Sequence, residues 1–592
     1  MSESLYCRTC ATINQTQRPR YGVLIPLFSR LLTLAGIVVL IGMLPWLSGQ
    51  DPALALLRAR SGEQEATAET LNAIRHSLGL DQGPLQLLLN WLTGLLHGDA
   101  GNSWVSGRPV LPGMLQAAGV SLTLMASSAL VAFTLAAVLC APTFRQGLRG
   151  QVHRSGGLFA ALFTALPEFL LASFLLIVGA VWLQWFPPYG WLGLHYAVLP
   201  SLALGIPAGG YLGRIIADAL SATFSENWLT TWSVSGVSRR HIALAVLKRT
   251  LPSVMPLVGL VLVSLTGGAI AVEKVFAIPG LGRATLGAAA AQDLPALQAG
   301  VLILLLIASL AGIAASGVRL LILGRALRSG AMPVPEEHGS PASRHAIWLP
   351  IICVLLLALL LLAGLPRDPY TSAFLRLQPP SFLLPFGADA MGRDLLARVA
   401  HGTLNTCLLA LAVSLACLAI GLLVGLFPRL FSGPIEVTNA LPPVIAGLLV
   451  AAVNGPTATG AAIAVIAVSW APLAAHTAAL VAEINARPYI RMLPILGVGP
   501  IRRSLFYILP ALIGPLFRHA MLKLPGIALA LASLGFLGLG ASPPTPEWGR
   551  VLAEGMPYIE RAFWGVLAPA AALGVLSILA VSAANLSGRH KH

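Results

Sequence analysis

Twelve apolar runs, each long enough to cross a bilayer as a helix, divide this chain. A hydrocarbon core about 30 Å thick needs roughly 20 helical residues. Only 10% of the 592 residues are charged, against about 25% in soluble domains. We therefore predict an all-α integral membrane protein of about 12 transmembrane helices, over 25–48, 117–141, 157–182, 196–219, 253–275, 298–323, 345–365, 403–427, 434–453, 459–482, 510–532 and 562–586. Pro442-Pro443 disfavours a straight helix in the ninth run.

The loops between the runs carry an uneven distribution of positive charge. Basic residues gather in three of them: Arg145, Arg149 and Arg154; Arg239, Arg240, Lys248 and Arg249; and Arg487, Arg491, Arg502 and Arg503. Residues 183–195 and 454–458 contain no Lys or Arg. By the positive-inside rule, the basic loops and both termini are predicted to be cytoplasmic. The net charge of +15 is spread over such loops, so a nucleic-acid partner is not favoured.

The chain divides into two membrane halves of six runs each. We predict a cytoplasmic tail at 1–24, a first half at 25–324 with a long extracytoplasmic loop at 50–113, and a second half at 345–592. The segment 325–344 between them is rich in Pro, Gly, Ser and charges, which indicates a cytoplasmic linker. Six crossings on each side give both halves the same orientation, so they form a parallel repeat.

One short cytoplasmic signature occurs in both halves. The first copy is GVSRRHIALAVLKRTLP, from Gly236 to Pro252, and the second is GVGPIRRSLFYILP, from Gly497 to Pro510. We expect each glycine to form a bend that requires positive φ or close backbone approach. Each proline is expected to begin the next membrane helix, since proline is tolerated in a first turn.

Five further motifs carry a family resemblance. They are LGLDQGPLQ (78–86), GDAGNS (98–103) and VEKVFAIPGLGR followed by QDLPALQ (272–298) in the first half, then PFGADAMGRDLLAR (385–398) and SLGFLGLGASPPTPEWGRVLAEG (533–555) in the second. With these motifs in this order, the chain resembles a fusion of the two inner-membrane permease subunits of a dipeptide/oligopeptide/nickel-type ATP-binding-cassette (ABC) importer. The resemblance implies the type I importer permease fold and a bacterial inner-membrane location.

The resemblance also implies partners. Each half would present a coupling helix to a cytosolic ATPase, either two subunits or one fused pair, and a periplasmic solute-binding protein would deliver the substrate. It assigns the coupling role to Gly236, Arg239, Arg240, Pro252, Gly497, Arg502, Arg503 and Pro510. Positive-inside anchoring is an alternative explanation of the arginines. The segments before the glycines, TTWSVSG with Trp232 and IRMLPILG with Pro494, depart from the family pattern, and Pro494 is expected to shorten the coupling segment.

The chain itself lacks a nucleotide site. No G-x-x-x-x-G-K-[ST] sequence occurs, so ATP-Mg is expected on the partner subunits and no cofactor on this chain. Cys7 and Cys10 form one C-x-x-C without the further ligands of a structural zinc site. Two other classes stay open: a secondary active transporter with 12 spans, and a membrane enzyme, although no catalytic constellation is evident.

Two Gly- and Pro-rich turns are predicted at the extracytoplasmic surface, suited to an outer gate or to a purely structural turn. The residues concerned are Glu273, Phe276, Pro279, Gly280, Gly282 and Arg283, and then Pro544, Pro546, Glu547, Trp548 and Gly549. We expect ion pairs between Glu273 and Arg283 and between Glu547 and Arg550. Glu168 is a candidate for the pathway because ionisable groups inside spans are commonly functional. His476 and His519 are expected to be isolated, and substrate identity stays open among peptides, nickel, metal chelates and glutathione-like compounds.

Overall fold

The computed structural model describes residues 21–47, 53–54, 56–57, 67–77, 83–150, 167–323 and 347–587. These residues are mostly helical, and isolated β-bridges are the only extended pairing among them. The tail with Cys7 and Cys10, the linker 325–344, short parts of the loop 50–113 (among them 78–82 of the first motif) and the first part of the predicted span 157–182 lie outside the described residues. The all-α fold is confirmed.

The first half contributes ten helices of eight residues or more among the described residues. They are α1 (Tyr21–Gly42), α2 (Ala68–Ser77), α3 (Pro84–Leu96), α4 (Val110–Leu148), α5 (Glu168–Leu175), α6 (Leu194–Phe224), α7 (Asn227–Val234), α8 (Arg239–Val275), α9 (Leu281–Ala290) and α10 (Leu294–Leu323). A π-helical stretch, Leu176–Trp182, continues α5.

The second half repeats much of this order. Its main helices are α11 (Trp348–Gly364), α12 (Leu395–Gly425), α13 (Pro428–Asn439), α14 (Pro443–Asn454), α15 (Ala458–Ala486), α16 (Pro488–Met492), α17 (Leu509–Leu537), α18 (Trp548–Gly555) and α19 (Trp564–Ser587). A helical turn, Pro500–Arg503, and a π-helical turn, Ser504–Ile508, lead into α17.

Six helices in the described parts of the chain are long and apolar enough to cross a membrane: Val110–Leu148, Arg239–Val275, Leu294–Val318, Leu395–Gly425, Ala458–Ala486 and Pro500–Leu537. Shorter apolar helices coincide with several other predicted spans, among them Phe28–Gly42, Glu168–Trp182, Trp348–Gly364 and Trp564–Leu579. The multi-span character is therefore confirmed, and the number of twelve stays a prediction.

The predicted span 434–453 is broken by a bend, as the Pro442-Pro443 pair indicated. Helix α13 and helix α14 meet there at an angle of 95°, and Pro442 has extended backbone angles. The residue before a proline is disfavoured in the α region, and a proline has no N–H for the helical ladder. Pro442 precedes Pro443, so both effects coincide at the break.

The predicted helix start at Pro252 is wrong, and the α-helix that begins beside Pro510, at Leu509, continues a helical run that begins earlier. Helix α8 begins at Arg239 and contains Pro252 in its interior, and the helical run around Pro510 begins at Pro500. A membrane helix tolerates an internal proline when local π adjustments satisfy the freed backbone groups, and Ser504–Ile508 is π-helical just before Pro510. The basic stretch of each signature therefore forms the first turns of a long helix.

Contacts divide the described residues into two compact units. One contains 21–41, 416–439 and 469–520, and the other contains the described parts of 42–415, 440–468 and 521–587. The first unit includes the signature of the second half, and the second unit includes that of the first half.

Small residues set the packing of α4 against α6 in the second of these units. Gly205, Gly209 and Gly213 are spaced four apart, and a Cβ at Gly209 would lie 2.8 Å from the Ala132 carbonyl oxygen. Such spacing lets two membrane helices approach until their backbones touch. The contact therefore depends on the absence of side chains along one face of α6.

We expect Gly209→Leu to separate α4 from α6 and to lower the yield of correctly folded protein, because the new side chain meets backbone atoms that cannot move aside. Overpacking of this kind costs about 1–3 kcal/mol or more. Gly119→Leu on α4 is the matched control, since nothing lies within 4 Å of its Cβ position. Size-exclusion profiles and thermal unfolding in detergent measure both variants, and equal behaviour of the two would contradict this packing.

Candidate functional site

The two signatures form the same turn. Helix α7 is followed by Gly236 with φ 76°, and the segment after α16 reaches Gly497 with φ 77°. Gly236 N–H donates to the Ser233 carbonyl and Val237 N–H to that of Trp232, at 3.3 and 3.1 Å. Gly497 N–H and Val498 N–H repeat this pair of bonds, at 3.1 and 3.0 Å. Both turns are Schellman motifs, in which a left-handed glycine ends a short helix.

This arrangement confirms the predicted positive φ and corrects the predicted order. Each short helix lies before its glycine, not after it, and α16 has five residues where α7 has eight. The shorter α16 agrees with the expected effect of Pro494, which lies in the turn that follows it. Nothing lies within 4 Å of a Cβ built on either glycine, so the backbone angle and not close approach requires glycine there.

Each short helix packs on a hydrophobic cluster of its own half. Trp228 and Leu229 of α7 pack against a cluster that includes Ile242 and Val246 of α8. Ile490 of α16 belongs to a cluster with Ile508 and Leu512. In the first half, Glu226 also accepts from Arg249 Nε at 2.6 Å and from Trp228 Nε1 at 2.5 Å. A force applied to either short helix would therefore be carried into the following long helix.

Apolar and basic side chains at these turns face outward. Val234 is 83% exposed, Ile495 76% and Leu496 72%. Arg239, Arg240 and Arg502 are exposed in the first turns of the next helices, whereas Arg503 is partly buried. A cation is disfavoured at a helix N-terminus, so helix stability does not explain these arginines.

At the first of the two Gly- and Pro-rich turns, Glu273 is completely buried at the end of α8. Its carboxylate accepts from Ser121 Oγ at 2.5 Å and from the Arg283 backbone N–H at 2.9 Å. Ser121 Oγ in turn accepts from the Leu281 N–H at 2.8 Å. The start of α9 is thereby held by a carboxylate and a hydroxyl that supply acceptors for its free N–H groups.

In the second turn, the carboxylate belongs to the residue before the short helix and not to the end of the long helix. Glu547 precedes α18 and accepts from the Ala541 N–H at 3.1 Å. Gly535, near the end of α17, leaves the space that the Glu547 carboxyl occupies, just as Gly280 leaves space for Glu273. Trp548 is fully buried; its Nε1–H lies 3.1 Å from both the Val399 carbonyl and Thr403 Oγ1.

Neither predicted ion pair forms. The Arg283 guanidinium donates to the Ala277 carbonyl at 2.6 Å. The Arg550 guanidinium donates to Glu554 at 2.8 Å and to the Ala541 carbonyl at 2.7 Å. Both arginines satisfy turn carbonyls, because each carboxylate is already held by backbone N–H groups. The other predicted turn residues, Phe276, Pro279, Gly282, Pro544, Pro546 and Gly549, lie in these two turns or at the helix starts that follow them.

A buried charge cluster next to the second turn was not anticipated from the sequence. Arg398 is 0% exposed, and its Nη1 lies 2.5 Å from Asp389 and 2.7 Å from Glu554. Arg393 bonds the same two carboxylates at 2.7 and 3.0 Å. Burial alone would raise the pKa of Asp389 and that of Glu554, but hydrogen bonds and the arginine charges outweigh it and hold both pKa values below their ordinary range. The cluster ties the motif at 385–398 to α18.

Two other motifs meet in the first half. Asp293 accepts from Ser103 Oγ and, at 3.0 Å, from the Trp104 N–H. GDAGNS is therefore attached to QDLPALQ. In the interior, the Glu168 carboxyl lies 3.5 Å from the Cβ position of Gly268 on α8. His476 and His519, expected to be isolated, stack with ring centroids 4.2 Å apart.

Comparison with known proteins fits this architecture. Residues 133–328 and 403–591 each match the family of binding-protein-dependent transport system inner membrane components, and the chain belongs to that family. It is 37% identical over 227 residues to the di/tripeptide transport system permease protein DppC of Pseudomonas aeruginosa, covering 36% of this chain and 73% of the relative. The glutathione transport system permease protein GsiC of Salmonella typhi is 33% identical over 275 residues, 46% of this chain and 87% of the relative.

These proportions identify a fusion. Each relative aligns with less than half of this chain over most of its own length, and the family domain occurs twice. The chain is the permease component of an ABC importer with two permease halves in one polypeptide, and it is a multi-pass membrane protein rather than an enzyme.

We expect Gly280→Ala to disturb the first turn, because the added Cβ would come within 2.3 Å of the Glu273 carboxyl group. A loss of about 1–3 kcal/mol of stability follows from such overpacking. Gly287→Ala on α9 is the control, since its Cβ position is open. Thermal unfolding of the purified protein compares them; unchanged stability of Gly280→Ala would contradict the turn geometry.

The buried charge cluster predicts that the stability of the protein depends on pH. The pKa values of Asp389 and Glu554 lie below their ordinary values of 3.8 and 4.5. Their contribution to stability is therefore full above the ordinary values and is lost as the pH falls through the lowered ones. We expect the melting temperature to stay level from pH 7 to 5 and to drop below about pH 4. Asp389→Asn should be less stable at pH 7, by about 3 kcal/mol, with a smaller further drop in acid. An equal acid loss in both proteins would contradict the assignment.

Proposed function

We propose that this permease imports short peptides or peptide-like compounds. Relatives named for di/tripeptide, dipeptide and glutathione transport support this substrate class. Nickel, which the family resemblance also allowed, has no comparable support. The family description itself implies that a binding protein presents the substrate; we assign that protein to the periplasm, where it meets the extracytoplasmic turns.

Separate cytosolic ATPases supply the energy in this proposal, as two subunits or one fused pair that bind ATP-Mg. The observation that carries the proposal is the repeated docking element: a short helix, a left-handed glycine in a Schellman turn, and a long helix that begins directly afterwards. We expect the exposed apolar side chains of each element to fit into a groove on the ATPase. Arg239, Arg240, Arg502 and Arg503 complement acidic groups there or anionic lipid.

The topology follows from loop charge. Both termini are cytoplasmic, with a tail at 1–24, halves at 25–324 and 345–592, and the linker 325–344 between them. The turns around Glu273 and Glu547 then lie at the outer end of the pathway, and Glu168 lies inside the membrane beside it. A 12-span secondary transporter, the alternative considered from the sequence, has no need of two matching docking turns and does not agree with the family match.

The double variant Gly236→Val, Gly497→Val tests the docking assignment. A β-branched residue at positive φ is strained by about 1–2 kcal/mol at each site, so we expect misplaced short helices, normal membrane insertion and loss of peptide uptake. Gly499→Val is the control, because its φ is −65° and nothing lies within 4 Å of its Cβ position.

Uptake of labelled dipeptides into cells and co-purification of the ATPases are measured for all variants. The double variant should lose both uptake and bound ATPase, while Gly499→Val keeps both. Normal uptake by the double variant would remove the docking role. A wild-type chain that transports peptides without any ATPase would support the secondary transporter instead.

A further inference from the structure

One polar contact joins the ends of the two helices that carry the extracytoplasmic turns. Lys274 lies in the last turn of α8, in the first half, and its Nζ donates to the Phe536 carbonyl near the end of α17, in the second half. The distance is 2.7 Å. The same ammonium lies 5.2 Å from the centre of the Phe536 ring, within the range of a cation–π contact.

The contact satisfies a helix end. The last carbonyls of a helix have no intrahelical partner. In α17, the Leu534 and Gly535 carbonyls accept from Leu539 and Gly538, at 2.9 and 3.0 Å. The Phe536 carbonyl is instead taken by Lys274 from the other half. A charge-assisted donor at this position is stronger than a neutral one, and it replaces water that the buried site excludes.

The positive charge of Lys274 is favourable where the C-terminal ends of α8 and α17 meet. Helix α8 also ends here, with Ile278 N–H bonded to the Glu273 carbonyl at 2.9 Å. Two helix C-termini each carry a partial negative charge and repel one another when close. The Lys274 ammonium, which α8 carries in its last turn and donates to α17, offsets that repulsion. Without a cation the two ends would tend to separate.

Two aromatic rings, one from each half, stack beside the Lys274–Phe536 contact. Phe536 is 1% exposed and Phe169 is 3% exposed; their rings stack with centroids 5.5 Å apart. Phe169 is the second residue of α5 in the first half, directly after Glu168. The ring of Phe536 therefore contacts both a ring and a cation that come from the first half.

We propose that Lys274 and Phe536 form a latch that keeps the outer end of the translocation pathway closed. The proposal rests on the proposed function and orientation, in which these helix ends face the periplasm. Transport requires the halves to part at this end, so the Lys274–Phe536 bond and the ring contacts must break when ATP binding opens the pathway. Lys274 is thus a positioning residue that sets the balance between the closed and the open outer end.

The test uses the full complex with its ATPases in proteoliposomes. Lys274→Met keeps an apolar side chain of similar length and removes the cation. We expect it to favour the open outer end, so that ATP hydrolysis without binding protein rises about tenfold or more, as the loss of a hydrogen bond to a charged group predicts. Peptide uptake per ATP hydrolysed should fall. A residue with only a structural role would lower both quantities together.

Three variants accompany it. Lys274→Arg retains a cationic donor and should behave like the wild type. Phe536→Leu keeps the carbonyl but loses the ring, so its basal hydrolysis should rise less than that of Lys274→Met. If Lys274→Met does not accumulate, Phe536→Leu carries the same prediction. Arg145→Met, at an exposed site in the last turn of α4, should change nothing.

The outcomes separate the two proposals. Wild-type basal hydrolysis in both Lys274→Met and Phe536→Leu, or a Lys274→Arg variant as uncoupled as Lys274→Met, would overturn the latch. A wild-type complex that hydrolyses ATP but takes up no peptide would contradict the proposed substrate, and the latch would still be read from basal hydrolysis. A wild-type chain that binds no ATPase would remove the proposed function and with it the latch.

Discussion

The structure depends on one constraint: in a membrane, every backbone polar group must find its partner within the protein. Helix interiors meet this requirement by themselves, but helix ends do not. The residues that stand out in this chain are those that complete helix ends. Gly236 and Gly497 close the two short helices, Glu273 and Ser121 hold the start of α9, and Lys274 completes the end of α17.

The two halves solve the same problems with different residues. Both short helices end in the same Schellman turn, although α7 contains two tryptophans in contact and the segment after α16 exposes aliphatic side chains. Both Gly- and Pro-rich turns contain a buried carboxylate that accepts from the backbone. In the first half it projects from the long helix, and in the second it projects from the residue before the short helix. What the repeat preserves is the bonding of the backbone, while the identity of the donor and acceptor side chains has diverged.

Much of the candidate site could be predicted because glycine, proline and charge have local consequences. The positive φ of Gly236 and Gly497 followed from the pattern around them, and the bend at Pro442-Pro443 was foreshadowed by the prolines themselves. The partners of charged side chains could not be predicted in this way. Glu273 and Glu547 were paired with neighbouring arginines because these are close in sequence, whereas their carboxylates bond backbone N–H groups. Arg398 is more than 150 residues from Glu554 in sequence, so no local signal joins them.

The sequence by itself determined that the chain is a helical membrane protein with two halves of the same kind, because hydrophobic length and loop charge are properties of single segments. It also determined the family, through motifs that are local. Tertiary structure alone decided where the long helices begin, since a packed membrane helix accepts an internal proline that would end an isolated one. It decided as well that Lys274 reaches Phe536 across the two halves, because a helix end left unsatisfied in one half takes its donor from whichever side chain the packing brings within reach.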